Sequence, residues 1–143
     1  MQIVVDTNVL VSSLLKEESI SNKAIRLILT RNISLAIDER IWGEYEEVTL
    51  RPILKISPET REKRLSALRA ISETFSSLSL EIPAREVIDP KDLPFAEVAV
   101  AAHAQFLVTG NKKHFGFMER FGIPVVSPAE FIETINKEEE GIE

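Results

Sequence analysis

Residues 1–11 read MQIVVDTNVLV and contain a β-branched run, Ile3–Val5, that stops at a carboxylate, Asp6. A run of this kind is typical of a strand buried on both faces, as in a parallel sheet covered by helices. Such sheets bind ligands beyond the carboxyl ends of their strands, where Asp6 lies. Because a buried carboxylate is costly unless a cation or a donor meets it, Asp6 is a candidate ligand-binding residue. The alternative is that Asp6 or Asn8 only caps the following helix.

The chain has 143 residues, a length typical of one domain with its own core. We expect a single domain over residues 1–136 and a solvated, frayed acidic tail over residues 137–143. Cysteine is absent, which excludes disulfides and thiolate metal sites. No apolar run approaches the roughly 20 residues of a membrane span, and no leader segment is recognisable, so we expect a cytoplasmic protein without membrane contact.

Strand and helix patterns alternate along the whole chain. Short apolar strands are predicted at residues 33–37, 105–108 and 123–126, and helices lie between them in the pattern. A long helix is predicted from Ser57 to Phe75, followed by a peripheral strand over residues 78–82. Ser21 or Asn22 is the expected cap of the second helix. This alternation predicts an α/β fold, a three-layer α/β/α sandwich with a mostly parallel central sheet.

Further acids can reach the same sheet edge as Asp6. Glu44 lies beside the apolar stripe of its predicted helix, although a boundary surface position explains it equally well. Asp92 precedes an apolar helix, and capping that helix is a sufficient alternative. Glu97 lies inside the same apolar helix and needs a nearby cation or an open edge to water. Carboxylates held close together favour the binding of a divalent cation. Because a bound cation reverses the local field, the net charge of −6 does not exclude a polyanionic partner.

The segment Thr109-Gly110-Asn111 repeats the pattern of residues 6–8, with small polar side chains directly after a buried strand. Lys112 and Lys113 follow and are candidates for binding a phosphate. No glycine-rich phosphate loop follows Val5, which argues against a classical nucleotide-binding fold. The sequence therefore predicts a hard-cation site at this edge, with Mg²⁺ or Mn²⁺ as the preferred ions of oxygen ligands.

One face of the predicted helix over residues 57–75 is basic and carries Arg61, Lys63, Arg64 and Arg69. Ordinary solvation is the simplest interpretation of such a face. Contact with RNA phosphates or with an acidic partner is the alternative.

The chain resembles the PIN-domain ribonucleases, in particular the small prokaryotic branch of VapC-type toxins. Five segments carry the resemblance and occur in the expected order over nearly the whole chain. They are residues 4–12 (VVDTNVLVS), residues 44–48 (EYEEV) followed by Arg51-Pro52, residues 89–95 (DPKDLPF), residues 107–112 (LVTGNK) and residues 127–131 (SPAEF).

The resemblance implies a PIN-like sheet and hydrolysis of single-stranded RNA with one or two Mg²⁺ or Mn²⁺ ions. Carried over by position, Asp6, Glu44 and Asp92 are the acids that hold the metal. Asn8 would orient Asp6 by hydrogen bonding, and Thr109 would support it. Asn111 departs from the pattern, because many relatives carry a fourth acid there, and Glu97 is the candidate for the missing charge.

The resemblance also implies a small antitoxin that covers the acids, and a homodimer. Two other interpretations of the residues stay open. One is a catalytically weakened scaffold that binds RNA or a protein, which Asn111 favours. The other is a structural α/β domain whose acids are helix caps.

Overall fold

The computed structural model describes residues 1–142 and contains a five-stranded sheet. The strands, in chain order, are β1 (Gln2–Val5), β2 (Ser34–Ile37), β3 (Ser72–Thr74), β4 (Phe106–Val108) and β5 (Val125–Val126). Their order across the sheet is β3-β2-β1-β4-β5, and every pairing is parallel. Because chain order reverses at β1, the edge beyond β1 and β4 is the expected place for a ligand.

Helices flank the sheet and complete the predicted α/β sandwich. They are α1 (Thr7–Leu15), α2 (Ile20–Thr30), α3 (Glu39–Thr49), α4 (Pro58–Ala70), α5 (Leu93–Ala101) and α6 (Pro128–Ile142). Among residues 1–142, none of these helices combines the length and the apolar character needed to cross a bilayer. The fold class predicted from the sequence is confirmed.

Side-chain caps fix the start of three helices. Asp38 accepts a hydrogen bond from the backbone N–H of Ile41, and Ser57, where a helix was predicted to begin, accepts one from the N–H of Thr60. The cap of α2 was predicted at Ser21 or Asn22 and is instead Ser19, which accepts from the N–H of Asn22. The sequence therefore predicted where these helices begin. It did not identify which of several neighbouring polar residues caps α2.

The core lies against both faces of the sheet. Ile3, Val4 and Val5 of β1 are almost completely buried, as a central parallel strand requires. Tyr45 of α3 is also buried, and its hydroxyl donates to the backbone carbonyl of Val5. This contact anchors α3 at the carboxyl end of β1 and brings the preceding residue, Glu44, to the same edge.

The region from residue 71 to residue 82 differs from the prediction. The helix predicted to reach Phe75 ends at Ala70, and Ser72–Thr74 form the edge strand β3 beside β2. The backbone N–H of Phe75 donates to the carbonyl of Ile37 over 2.9 Å, a long-range bond that helical spacing does not reveal. Residues 78–82, predicted as a strand, have no regular structure, and Leu78 is 86% exposed.

The acidic segment near the end of the chain belongs to α6. Residues 137–141 are exposed and have helical geometry, and the domain boundary at residue 136 stays a prediction. Glu139 on this segment pairs with Arg31 at the end of α2. Glu143, which the sequence assigned to the same tail, lies outside the described residues.

Candidate functional site

Asp6 lies at the point where the two central strands end together. Val5 and Val108 are register partners in the β1–β4 pair, so the next residues, Asp6 and Thr109, are neighbours. The Thr109 hydroxyl donates to Asp6 Oδ2 over 2.8 Å. Asp6 precedes α1 but its side chain makes no capping hydrogen bond. Capping therefore does not account for this buried carboxylate.

Glu44 reaches the same edge from α3. Its side chain is half-buried, and its Oε2 accepts a hydrogen bond from the Thr7 hydroxyl. Thr7 is the first residue of α1 and is itself buried. A threonine next to Asp6 thus ties the second acid to the first, a role that the sequence did not predict.

Asn8 and Asn111 organise the loop that follows β4. Asn8 Oδ1 accepts from the backbone N–H of Gly110 over 3.1 Å, and the N–H of Asn111 donates to the Thr109 hydroxyl oxygen over 3.0 Å. The expected hydrogen bond from Asn8 to Asp6 is therefore absent from the described residues. Asn8 supports Asp6 indirectly, because it holds the loop that carries Thr109.

Asp92 approaches from the start of α5. The helix begins at Leu93, yet the Asp92 side chain makes no capping hydrogen bond. Its Oδ2 lies 3.0 Å from His114 Nδ1 instead. Asp89 takes the local capping role and accepts from the backbone N–H of Lys91 over 3.0 Å. His114 had no predicted function, because it lies 22 positions after Asp92 in the sequence and local spacing does not reveal the contact.

The electrostatics of the site follow from burial and from like charges. Burial raises the pKa of Asp6 to about 6, the Thr109 hydrogen bond opposes this rise, and the Asp92 and Glu44 carboxylates add to it. Burial also raises the pKa of Asp92, against the lowering effect of His114. These carboxyl groups are therefore held in surroundings that favour either a proton or a cation.

The acids share one cavity of about 450 Å³, which we call the acid cavity. Its lining includes five of the predicted residues, Asp6, Asn8, Glu44, Asp92 and Asn111. Thr109 is completely buried beneath Asp6. Residues that were not among the predicted site residues also line the cavity, namely Thr7, Val11, Ser12, Val48, Arg51, Asp89, Lys91 and His114.

Glu97 lies elsewhere, which corrects its predicted place among the metal ligands. Its carboxylate accepts from Arg40 over 2.7 Å and from the backbone N–H of Leu80 over 3.3 Å. The charge inside an apolar helix is thus matched by a cation from α3 and not by the acid cavity. The interpretation that Glu97 needs a nearby cation holds, but the cation is an arginine.

The two lysines after β4 do not line the acid cavity either. Lys112 Nζ lies 2.8 Å from Glu130 Oε1 at the start of α6, and Lys113 is exposed. The cations that do line the cavity are Arg51 and Lys91. Spacing after a strand end therefore predicted basic residues near the site but not which ones face it.

The donor set fits a hard divalent cation. Asp6, Glu44 and Asp92 offer carboxylate oxygens, and Asn8 and Asn111 offer amide oxygens, which are the ligand types of Mg²⁺ and Mn²⁺. Within residues 1–142, no three acids or histidines converge closely enough to enclose an ion by themselves. These cations commonly keep several waters, so an open carboxylate edge is compatible with their binding.

The chain is similar to known proteins in sequence and in fold. The family model described as PIN domain matches residues 2–113. No curated protein matches the chain. Among solved structures, a chain of the crystal structure of VapBC2 from Rickettsia felis bound to a DNA fragment from their promoter is similar in fold. The TM-score is 0.54 at 17% identity, over 89% of this chain and 98% of that chain.

The structural likeness, at this identity, shows a shared fold. The family model spans well over half of the chain and includes Asp6, Glu44, Asp92 and Asn111. The resemblance noted in the sequence is thereby confirmed at the level of the family, and this chain belongs to the PIN domain family.

Proposed function

We propose that this chain is a metal-dependent endoribonuclease that hydrolyses phosphodiester bonds of single-stranded RNA. PIN domains are a family of nucleases, which supports the general class of activity. The observation that carries the proposal is that Asp6, Glu44 and Asp92 line one cavity at the carboxyl edge of a parallel sheet. Burial and the neighbouring acids raise the pKa of Asp6, because they disfavour its charged form. A bound cation would stabilise that charged form.

Asp6, Glu44 and Asp92 are the residues that would hold Mg²⁺ or Mn²⁺ in the acid cavity. When bound, such an ion lowers the pKa of a water ligand and offsets charge on the phosphate oxygens. Each acid is oriented by a different neighbour: Asp6 by Thr109, Glu44 by Thr7 and Asp92 by His114.

The substrate backbone would be bound by the cations at the rim of the acid cavity. Lys91 is exposed there, and Arg51 is exposed and pairs with Glu47 over 3.1 Å. Both side chains can present N–H donors to a phosphate. This assigns to Arg51 and Lys91 the role that the sequence gave to Lys112 and Lys113.

A catalytically weakened scaffold is the second candidate, and Asn111 favours it. Asn111 lines the acid cavity with a neutral amide at the position where the family pattern has an acid. Loss of that charge reduces the attraction for a second cation. A scaffold of this kind would bind RNA or a protein without cleaving RNA.

As partners, we propose a small antitoxin protein, with this chain as the toxin component of a type II toxin–antitoxin pair, and a second copy in a homodimer. The support for the antitoxin is the similar fold of a chain from the VapBC2 complex. The negative charge of the acid cavity favours a basic segment, such as one with an inserted arginine, as the part that covers it.

The first experiment is thermal unfolding of wild type and Asp6→Asn in EDTA, Mg²⁺ or Mn²⁺, followed by cleavage of single-stranded RNA. A ligand that binds only the folded state stabilises it by roughly 2.7 kcal/mol at a hundredfold excess over its dissociation constant. We expect Mn²⁺ to raise the unfolding midpoint of wild type and not of Asp6→Asn. Cleavage should require the same metal and be lost in the same variant.

Glu44→Gln and Glu46→Gln form the matched pair for this experiment. Both lie on α3 and lose the same charge, but Glu46 is exposed and does not line the acid cavity. Only Glu44→Gln should weaken metal binding and cleavage. Metal binding without cleavage would support the scaffold, and no response to millimolar metal would contradict the nuclease.

A further inference from the structure

A second cavity, of about 590 Å³, is lined by residues of α1, α2 and α4 and is rich in positive charge. Its polar lining includes Ser13, Glu17, Asn22, Arg26, Lys63 and Arg64, and we call it the cationic cavity. Three of these side chains are cations and one is a carboxylate, although the whole chain has a net charge of −6. The local charge is therefore opposite to that of the molecule, which favours an anion at this place.

Arg64 is the central cation and has only neutral partners. Its guanidinium donates to Ser13 Oγ over 3.1 Å and to Asn22 Oδ1 over 2.8 Å. Both acceptors are buried, which fixes the guanidinium against α1 and α2. Among the ion pairs of residues 1–142, none includes Arg64.

Arg64 therefore has no carboxylate at ion-pair distance among the described residues. Burial and the nearby charge of Arg26 lower the pKa of Arg64, because both disfavour its charged form. A guanidinium has five N–H donors in a rigid fork, and two hydrogen bonds leave others free. The guanidinium of Arg64 is held in place and has no anionic partner within residues 1–142, and its planar set of donors matches the geometry of a phosphate.

Two further cations surround Arg64 and reach solvent. Lys63 is exposed, and Arg26 is exposed and pairs with Glu17 over 3.3 Å. A purely structural role explains the bonds from Arg64 to Ser13 and Asn22. It does not explain why two more cations line the same cavity.

Helix α1 contributes lining residues to both the cationic cavity and the acid cavity. Thr7, Asn8, Val11 and Ser12 of α1 line the acid cavity, and the next residues, Ser13 and Leu14, line the cationic cavity. An α-helix rises 1.5 Å per residue, so Leu14 lies about 10 Å along α1 from Thr7. This spacing along α1 is comparable to the length of a few nucleotides of single-stranded RNA.

We propose that the cationic cavity binds a backbone phosphate of the single-stranded RNA whose scissile bond lies in the acid cavity. This inference rests on the proposed ribonuclease function and extends it. It implies that affinity for RNA depends on the length of the strand and on its path along α1. Arg64 provides the fixed donors, and Arg26 and Lys63 provide the surrounding positive charge.

The test measures RNA binding separately from cleavage. The Asp6→Asn chain, which is expected not to cleave, is titrated with a long fluorescent oligouridylate at several salt concentrations. Adding Lys63→Gln should reduce the affinity and make the plot of log affinity against log salt shallower by about 0.7, the value for one phosphate contact on a single strand. Adding Arg26→Gln should act in the same direction.

Lys137→Gln is the matched control. Lys137 is also exposed and its loss changes the net charge equally, but it lies on α6 away from both cavities. We expect its salt dependence to equal that of the parent chain. If Lys63→Gln and Arg26→Gln match Lys137→Gln, or if the parent chain binds no oligouridylate, the proposal is overturned.

Short substrates separate this inference from the proposed function. The dinucleotide UpU has only the scissile phosphate and therefore no second phosphate for the cationic cavity. Lys63→Gln with Asp6 intact should cleave UpU at the wild-type rate and long oligouridylate with a raised KM. If no RNA is cleaved but the salt dependence still differs between variants, the nuclease proposal fails and the RNA contact stands. Equal KM changes for both substrates would overturn the contact.

An acidic protein segment is the competing occupant. Polyglutamate of the same length and charge is therefore titrated under the same conditions. If it binds as tightly as oligouridylate and depends equally on Lys63, the cavity takes acidic peptide and the RNA proposal is wrong. Weaker binding that does not depend on Lys63 supports RNA.

Discussion

The Thr109 hydroxyl and the Asp6 carboxylate are joined by a 2.8 Å hydrogen bond across 103 residues of sequence. The register of β1 and β4 places these two side chains together, because each follows a paired strand directly. The Thr109 oxygen also accepts from the backbone N–H of Asn111. Its single hydrogen is therefore directed to Asp6, and the bond favours the charged carboxylate over the protonated one.

Thr109→Val keeps the shape of the side chain and removes this donor. We expect the pKa of Asp6 to rise further above about 6, since burial and Asp92 still oppose its charge. Affinity for Mn²⁺ at pH 6, measured by calorimetry, should fall about tenfold, as is common when a group that orients a ligand is lost. Thr109→Ser keeps the hydroxyl and should bind like wild type. Equal affinity in the valine variant would contradict the assignment.

The raised pKa of Asp6 also predicts how stability depends on pH without metal. Between 3.8 and about 6 the folded chain retains a proton that the unfolded chain has released, so the free energy of unfolding decreases as pH rises through this window. Asp6→Asn lacks this term. In EDTA above pH 7 it should be more stable than wild type by about 3 kcal/mol, in urea unfolding.

Below the lower of these two pKa values the difference should be smaller, because Asp6 is then protonated in both states. Glu46→Gln serves as the control for loss of an exposed acid. If the difference between Asp6→Asn and wild type does not change with pH, Asp6 is not held in the environment described.

His114→Ala tests the contact with Asp92. The imidazole lies 3.0 Å from Asp92 Oδ2 and orients this carboxylate toward the acid cavity. We expect metal affinity and RNA cleavage to fall about 10-fold or more, by analogy with other residues that hydrogen-bond a ligand. His103→Ala removes an exposed histidine outside the cavity and should leave both unchanged. Equal behaviour of the two variants would remove His114 from the site.

Glu97→Gln should affect stability and not metal binding. Glu97 is buried, and its pair with Arg40 and its bond to the N–H of Leu80 hold the segment after β3 against α5. Loss of its charge should lower the free energy of unfolding by about 1 to 3 kcal/mol. Mn²⁺ affinity, measured by calorimetry on the folded variant, should equal that of wild type. Weaker binding of Mn²⁺ would return Glu97 to the metal site.

Asn111→Asp restores an acid at the position that departs from the family pattern. Without metal it adds like charge to the acid cavity, so the free energy of unfolding in EDTA should decrease. With Mn²⁺ the variant should bind more tightly, and RNA cleavage should increase. Asn111→Ser, which is small and neutral, is the control. An unchanged cleavage rate with tighter metal binding would favour the scaffold.

Local patterns predicted most of the fold because its elements are strongly apolar or clearly capped. Ile3–Val5 and the segment before Thr109 became adjacent strands as expected. The edge strand β3 was missed because its partner, β2, lies 37 residues away and supplies hydrogen bonds that no local spacing shows. An apolar pair at Ile71 and Phe75 fits a helix equally well.

The site was predictable where a residue follows a strand directly. Asp6, Thr109 and Asn111 could be placed because strand ends meet at one edge. The direction of a side chain on a helix was harder to predict. Glu44 and Glu97 both lie beside apolar residues in the sequence, but only Glu44 lines the acid cavity. Contacts between distant loops, such as His114 with Asp92, have no signature in spacing.

The central position of β1 has a consequence for synthesis on the ribosome. Strand β1 pairs with β4 only after residue 108 has been added, and Asp6 meets Thr109 and the cavity that includes His114 later still. More than a hundred residues after β1 must therefore be synthesised before the acid cavity can form. A nascent chain with the proposed activity would be harmless to its own messenger RNA until the segment that contains His114 has left the ribosome.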